Sequence, residues 1–247
     1  MLPEPGEQVR SETQPPIAQR VVALIEVVLC SDYPTQTALA STLAVLGFGP
    51  YAANGQLRVS FVVGLSLLDT VCLLGLILLF LSAHGERPRD IFLGYRAARS
   101  EIPLGVTLVF PALAIGVAIL LAIQLYAPSL HTVAHNPLQD LIRTRQNAVL
   151  FAFVVIIAGG VREELQRAFL LHRFETSLGG ARVGVILTSV AFGAGHYIQG
   201  VDAAITTGVL GAFWGMVYLR RRSAIAPVVS HSGFNLLQIV QFLAIGR

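Results

Sequence analysis

Apolar residues run along this chain in long unbroken blocks separated by short polar stretches, without the strict alternation of half-buried strands. A hydrocarbon core of ~30 Å needs ~20 apolar residues in a helix, and blocks of this kind fall near residues 59–83, 103–126, 147–171, 183–199, 203–219 and 224–246. Two weaker blocks come first. Residues 17–30 contain Glu26 and stop at Ser31-Asp32-Tyr33-Pro34, while 36–53 is rich in Ala, Leu, Thr and Gly; each either spans a membrane or lies in its interface. Continuous blocks exclude a barrel, whose strands alternate. The pattern predicts an all-α fold, a polytopic transmembrane helical bundle of six to eight membrane helices. It divides the chain into a polar N-terminal tail (1–16), N-terminal membrane helices (17–146) and a C-terminal membrane core (147–247).

Composition agrees. Of 247 residues 54% are hydrophobic and only 13% charged, against roughly 25% charged in soluble domains, and the mean hydropathy is +0.69. No polar stretch is long enough for a separate soluble domain. All 17 basic residues are arginine and the net charge is +3, a modest excess of the kind positive-inside topology produces, so no nucleic-acid partner is expected. Arg87, Arg89, Arg96 and Arg99, then Arg173 and Arg182, then Arg220, Arg221 and Arg222 fall in connections on one side of the alternating spans. That side is expected to be cytoplasmic; Arg58, Arg143, Arg145 and Arg247 fall opposite. Cys30 and Cys72 lack the spacing of a zinc or redox pair and read as buried and inert. The Pro-rich start of the chain, with Pro3, Pro5, Pro15 and Pro16, does not read as a cleaved secretory signal.

Within the C-terminal core, three clusters put polar groups into apolar segments. Charge at mid-membrane costs at least ~2.5–3.5 kcal/mol per group on insertion scales, so groups that persist there are expected to be paired, inward-facing and functional. In the first cluster, Arg167 lies i+4 from Glu163 and i+3 from Glu164, so it can reach either carboxylate. The two glutamates point about 100° apart, so one is expected to pair with arginine and the other to poise a water. The second is Phe192-Gly193-Ala194-Gly195-His196, whose small residues let a neighbouring helix approach and bring His196 toward the glutamates. In the third, His231 and Asn235 share one helix face, and each can donate a hydrogen bond to a developing oxyanion. Zinc held by His196 and His231 is an alternative, but no HExxH occurs and Asn is a poor zinc ligand, so no cofactor is expected.

These three clusters, in this order on successive hydrophobic segments, resemble the CAAX protease and bacteriocin-processing family of intramembrane endopeptidases, whose pattern is EExxxR, FxxxH and HxxxN. The resemblance covers roughly residues 147–240. It implies that Glu163 or Glu164 and His196 activate water for peptide hydrolysis, that His231 and Asn235 form an oxyanion hole, and that Arg167 is the motif arginine. It further implies an integral membrane protein acting on a peptide or membrane-protein substrate beside membrane lipid, and the arginine distribution leads to the expectation that its active site opens to the cytoplasmic side. One departure stands out. Aligning the glutamate pair puts Ala168 at the arginine position, whereas aligning Arg167 puts Arg162 at the first glutamate and Glu163 at the second. The second register is favoured because Glu163 then keeps an i, i+4 arginine.

A competing reading is a non-catalytic scaffold or immunity-type membrane protein in which the same groups only hold helices together; proton-coupled transport through Asp69 and Glu163 is a third. Asp69 is read as an interhelical hydrogen-bonding group, Glu26 and Asp202 as interfacial, and Trp214 as packing. His84, His131, His135 and His172 are read as solvated.

Overall fold

The computed structural model describes residues 15–134, 136–142 and 144–245. Most of the expected tail, together with His135, Arg143 and Arg247, lies outside the described residues. Within them the chain is all helical: α1 (Ile17–Leu29), α2 (Tyr33–Val45), α3 (Val59–Ala83), α4 (Pro88–Phe92), α5 (Ala98–Tyr126), α6 (Arg145–Val154), α7 (Glu163–Ser177), α8 (Ala181–Gly195), α9 (Val201–Arg221) and α10 (Ile225–Ile245). A π-helical segment, Val155–Arg162, joins α6 to α7 without a break. Among the described residues no strand forms, as the continuous apolar blocks require.

Three helices, α3, α5 and α9, are each long and apolar enough to cross a membrane. The other expected spans, 147–171, 183–199 and 224–246, correspond to α6–α7, α8 and α10. They carry the three polar clusters, and α8, though apolar, has only 15 residues. Exposed apolar side chains such as Val71, Leu79, Val106, Phe110 and Leu125 cover the outer faces of α3 and α5, as a lipid-facing surface demands. Cys72 stands on the exposed face of α3, so only Cys30 is buried as expected. The neighbours of Cys72 are apolar because they face outward, not because they pack inward.

The two weak N-terminal blocks behave as one interrupted element. Each helix has 13 residues, or about 20 Å at 1.5 Å per residue, too short to span alone. The interruption at Cys30–Asp32 lies against the middle of the α6–α7 rod, where the Gln166 side-chain amide donates to the Cys30 carbonyl at 2.8 Å. Tyr33 Oη donates to the Ala191 carbonyl of α8 at 2.5 Å.

Two expected boundaries move. The α7 helix runs on to Ser177 rather than ending at Leu171, because His172, Arg173 and Glu175, which read as a polar loop, all find partners. Arg173 binds Glu26 of α1 through Nε at 2.5 Å and Glu86 at 2.6 Å. His84 contacts Glu26 at 2.6 Å, and His172 contacts Glu86 at 2.7 Å. Glu26 is therefore a buried anchor rather than an interfacial group, and His84 and His172 are paired rather than merely solvated. At the other end of the bundle His131 pairs with Asp202 at 2.7 Å, which ties the connection after α5 to the start of α9. The second shift concerns α8, which stops at Gly195, so His196 sits at its C-terminal end instead of deep within a span.

The three arginine-bearing connections meet at one end of the bundle, as the alternation predicts. Arg221 binds the fully buried Glu101 at 2.5 Å, Arg96 donates to the Arg221 carbonyl at 3.0 Å, and Arg222 binds Glu175. Gly94, at φ +60°, lies so close to the Arg222 carbonyl that an added Cβ would stand 2.0 Å from its oxygen.

The ionic cluster at this end carries a pH dependence. Burial works against ionisation of Glu86, but hydrogen bonds from His172 and Arg173 outweigh it and hold the carboxyl below its ordinary value of 4.5. A depressed folded-state value means that Glu86 stabilises the fold above its unfolded value, and that this contribution is lost as pH falls through the folded one. Glu86→Gln should lower the unfolding temperature in detergent at neutral pH, and its difference from the parent should shrink below about pH 4. A difference that persisted unchanged into acid would show that the carboxylate charge contributes nothing.

Candidate functional site

The site is built where α7, α8 and α10 face one another, and glycines permit the approach. On the π-helical segment, a Cβ at Gly159 would stand 2.7 Å from Asn235 Nδ2, and one at Gly160 would stand 2.0 Å from Ser232 Oγ. With no side chain at either position, α10 lies directly against this segment and brings His231 and Asn235 opposite the glutamates. Gly193 plays the same part between α8 and α9, where a Cβ would meet the Ala204 carbonyl oxygen at 2.5 Å.

The two glutamates occupy different environments. Glu164 is buried; its Oε1 accepts from Arg167 NH1 at 2.6 Å and lies 2.8 Å from His231 Nδ1. Arg167 in turn lies over the Phe192 ring, 4.6 Å from its centroid, as cation–π attraction favours. The expected i, i+4 pairing of Glu163 with Arg167 does not form. The arginine takes the i+3 carboxylate of Glu164, because that side chain points into the α8–α10 interior while Glu163 points toward open space. Glu163 instead contacts Arg162 NH2 at 3.2 Å, and its Oε2 lies 3.8 Å from His231 Nε2.

His231 is fixed by a ring stack and a hydrogen bond. Its ring stacks on Trp214 at 3.8 Å between centroids, Trp214 is itself held by an Nε1–H bond to Ser230 Oγ at 3.1 Å, and Nδ1 is taken by Glu164. Trp214 thus does more than pack. An Nδ1–H committed to a carboxylate leaves Nε2 directed at Glu163. One turn on, Asn235 forms no hydrogen bond among the described residues and lines a cavity with its amide available. At the end of α8, His196 Nδ1 lies 2.9 Å from the Phe192 carbonyl oxygen, one of the carbonyls a helix terminus leaves without a partner. A carbonyl only accepts, so Nδ1 carries the proton and Nε2 is left with its lone pair in the neutral ring. The Phe192 and His196 rings meet edge to face at 4.9 Å.

Two cavities meet at this point. One of about 450 Å³ runs between α1, α7 and α8, lined by Leu24, Leu170, Phe174 and Leu187 among others. The other, of about 490 Å³, lies between α3, the π-helical segment, α9 and α10, and includes Trp214, His231 and Asn235. Glu163, Arg162, His196, Gln36 and Gln199 line both. Glu164 lines neither.

Sequence reasoning missed one part of this site. Arg162, which falls at the first-glutamate position of the motif, binds Asp32 and also Asp69 at 2.6 Å. Asp69 is the expected interhelical partner, but Asp32 was read only as the end of a weak block. The signal was in the charge count, since a buried arginine with no carboxylate at i±3 or i±4 demands one from elsewhere. Among the described residues no group of three or more His, Cys, Asp or Glu side chains is arranged to hold a metal. Ser232, next to His231, keeps its Oγ buried without a hydrogen-bond partner among the described residues.

Compared with known proteins, the chain matches no curated protein and no solved structure. A family model does match, from the first residue of α6 to a point within α10 two residues after Asn235. Residues 145–237, which carry all three polar clusters, are similar to the Rce1-like family, described as type II CAAX prenyl endopeptidases.

Proposed function

We propose that the chain is an intramembrane endopeptidase that hydrolyses a peptide bond with a water activated by Glu163 and His196. The observation that carries this reading is the division of labour between the glutamates: Glu164 is committed to Arg167 and His231, whereas Glu163 lines both cavities. In the proposed step a water between Glu163 and His196 gives a proton to the glutamate as its oxygen attacks the scissile carbonyl carbon. Asn235 Nδ2–H and His231 Nε2–H, the latter when both ring nitrogens carry protons, donate to the oxyanion. The proton held on Glu163 then passes to the departing amine as the C–N bond breaks. No step requires a cofactor.

The substrate is a peptide or membrane-protein segment in contact with membrane lipid. It enters sideways between α1, α7 and α8, where the first cavity has apolar walls. The arginine-bearing end faces the cytoplasm on positive-inside grounds, and the cavity reaches toward that end at Leu24 and Phe174.

The test is turnover of a fluorogenic peptide panel by the purified protein in detergent. Asn235→Ala should lower kcat by 10²- to 10³-fold, about 2.7–4 kcal/mol of transition-state stabilisation, and His196→Ala should lower it by at least 10²-fold. EDTA should leave turnover unchanged. If His196→Ala and Asn235→Ala both turn over every cleaved peptide at the parent rate, the groups serve as a scaffold and the proteolytic reading is wrong.

A further inference from the structure

Arg162 sits where its helix should be apolar, 5% exposed, and gathers three carboxylates from three parts of the chain. NH1 binds Asp32, in the turn between α1 and α2, and Asp69 of α3 at 2.6 Å. Nε donates to the Ala158 carbonyl at 3.3 Å, and NH2 reaches Glu163 Oε1 at 3.2 Å. The fork of a guanidinium suits such divided contacts, because its N–H groups point in fixed and separate directions.

Two features set this apart from a plain charge pair. Neutralising a buried arginine takes one carboxylate, and Asp69, 1% exposed, is already in place. Moreover, adjacent residues on a helix do not ordinarily face each other, yet Arg162 turns onto Glu163 at the point where the π-helical segment gives way to α7. The turn that supplies Asp32 is itself held in an unusual shape. Asp32 has φ +81°, a left-handed conformation that non-glycine residues rarely adopt, and Gln166 and Tyr33 pin both sides of the break.

The geometry points to Arg162 as the positioning residue for Glu163. Two nitrogens are anchored, to the interrupted N-terminal element, to α3 and to the backbone of the arginine's own helix. The third holds Glu163 Oε1, which leaves Oε2 toward His231 Nε2 and the cavities. Arg162 lines both cavities, but its nitrogens are spent on carboxylates and a backbone carbonyl, so its part in the reaction is played through the glutamate. It thereby replaces the i, i+4 restraint that Glu163 lacks, since Arg167 is taken by Glu164. This assignment rests on the endopeptidase reading above.

The experiment compares kcat and KM of three variants on one cleaved peptide. Arg162→Lys keeps the charge but offers a single ammonium in place of the fork. It should stay folded and lose 10- to 100-fold in kcat with KM within about twofold, since a small misplacement of a reacting group costs up to ~10²-fold. The double variant Arg162→Gln/Asp69→Asn removes the cation together with one facing carboxylate. Its unfolding temperature should stay near the parent value while kcat falls at least as far, which separates positioning from stability. Glu163→Gln is the reference for loss of the base itself. If Arg162→Lys and the double variant both keep the parent kcat while Glu163→Gln is inactive, Arg162 merely neutralises its aspartates and the inference fails with the endopeptidase reading intact. If Glu163→Gln itself turns over normally, both fail together.

Discussion

Glu163→Gln is expected to lower turnover by roughly 10²- to 10⁴-fold, the usual contribution of a positioned general base, with little change in unfolding temperature. Glu164→Gln, one residue away, is expected to act mainly on stability. The contrast follows from what each carboxylate touches. Glu163 faces both cavities, and its one close hydrogen bond is to Arg162, which retains Asp32 and Asp69 when Glu163 is neutralised. Glu164 is 1% exposed and its Oε1 serves both Arg167 and His231. Neutralising it leaves a buried guanidinium without a counter-charge, a loss of about 3–5 kcal/mol. It also frees His231 Nδ1, so some fall in turnover accompanies the instability. Steady-state kinetics and thermal unfolding in detergent, run on both variants, check the division. Glu164→Gln with full stability and no turnover, beside an active Glu163→Gln, would exchange the two roles.

Gly160→Val is expected to disable the protein without touching a reacting group. A Cβ at this position would stand 2.0 Å from Ser232 Oγ and 3.1 Å from Ser232 Cβ, and valine adds two methyl groups beyond that. Overpacking of this kind costs typically 1–3 kcal/mol. The larger effect is geometric, because α10 must move away and carries His231 and Asn235 with it, each about one turn or less from Ser232. Turnover should therefore fall by more than 10²-fold even where the fold survives. The milder Gly160→Ala supplies a control, since pairing it with Ser232→Gly removes both atoms that clash. Ser232 Oγ has no hydrogen-bond partner in its buried site, so its loss carries little penalty. The double variant should recover most of the stability and turnover that Gly160→Ala loses. Failure to recover either would locate the damage in the π-helical backbone instead of the helix contact.

The polar clusters were legible in the sequence because charge in an apolar segment has few explanations. His196, His231, Asn235 and Glu163 line connected space with Glu164 buried against His231, and the three arginine-bearing connections lie together at one end. Partner choice was less legible. An arginine at i+3 from one glutamate and i+4 from the other can reach both, and spacing favoured Glu163; Arg167 took Glu164 because packing turned that side chain inward. Likewise His84, His131 and His172 sit next to breaks in the apolar pattern, where solvent is the default expectation. Their carboxylate partners come from other elements of the chain.

By itself the sequence determined the all-α class, the approximate helices and the residue types available for chemistry, because those follow from hydrophobic run length and the cost of burying charge. Tertiary structure alone decided which glutamate is spent on holding the fold and which faces the cavities. It also decided that Asp32, at the break of a weak N-terminal block, belongs to the site. The reason is physical: a buried charge must find a partner somewhere, but only the packing of distant helices specifies which one lies within reach.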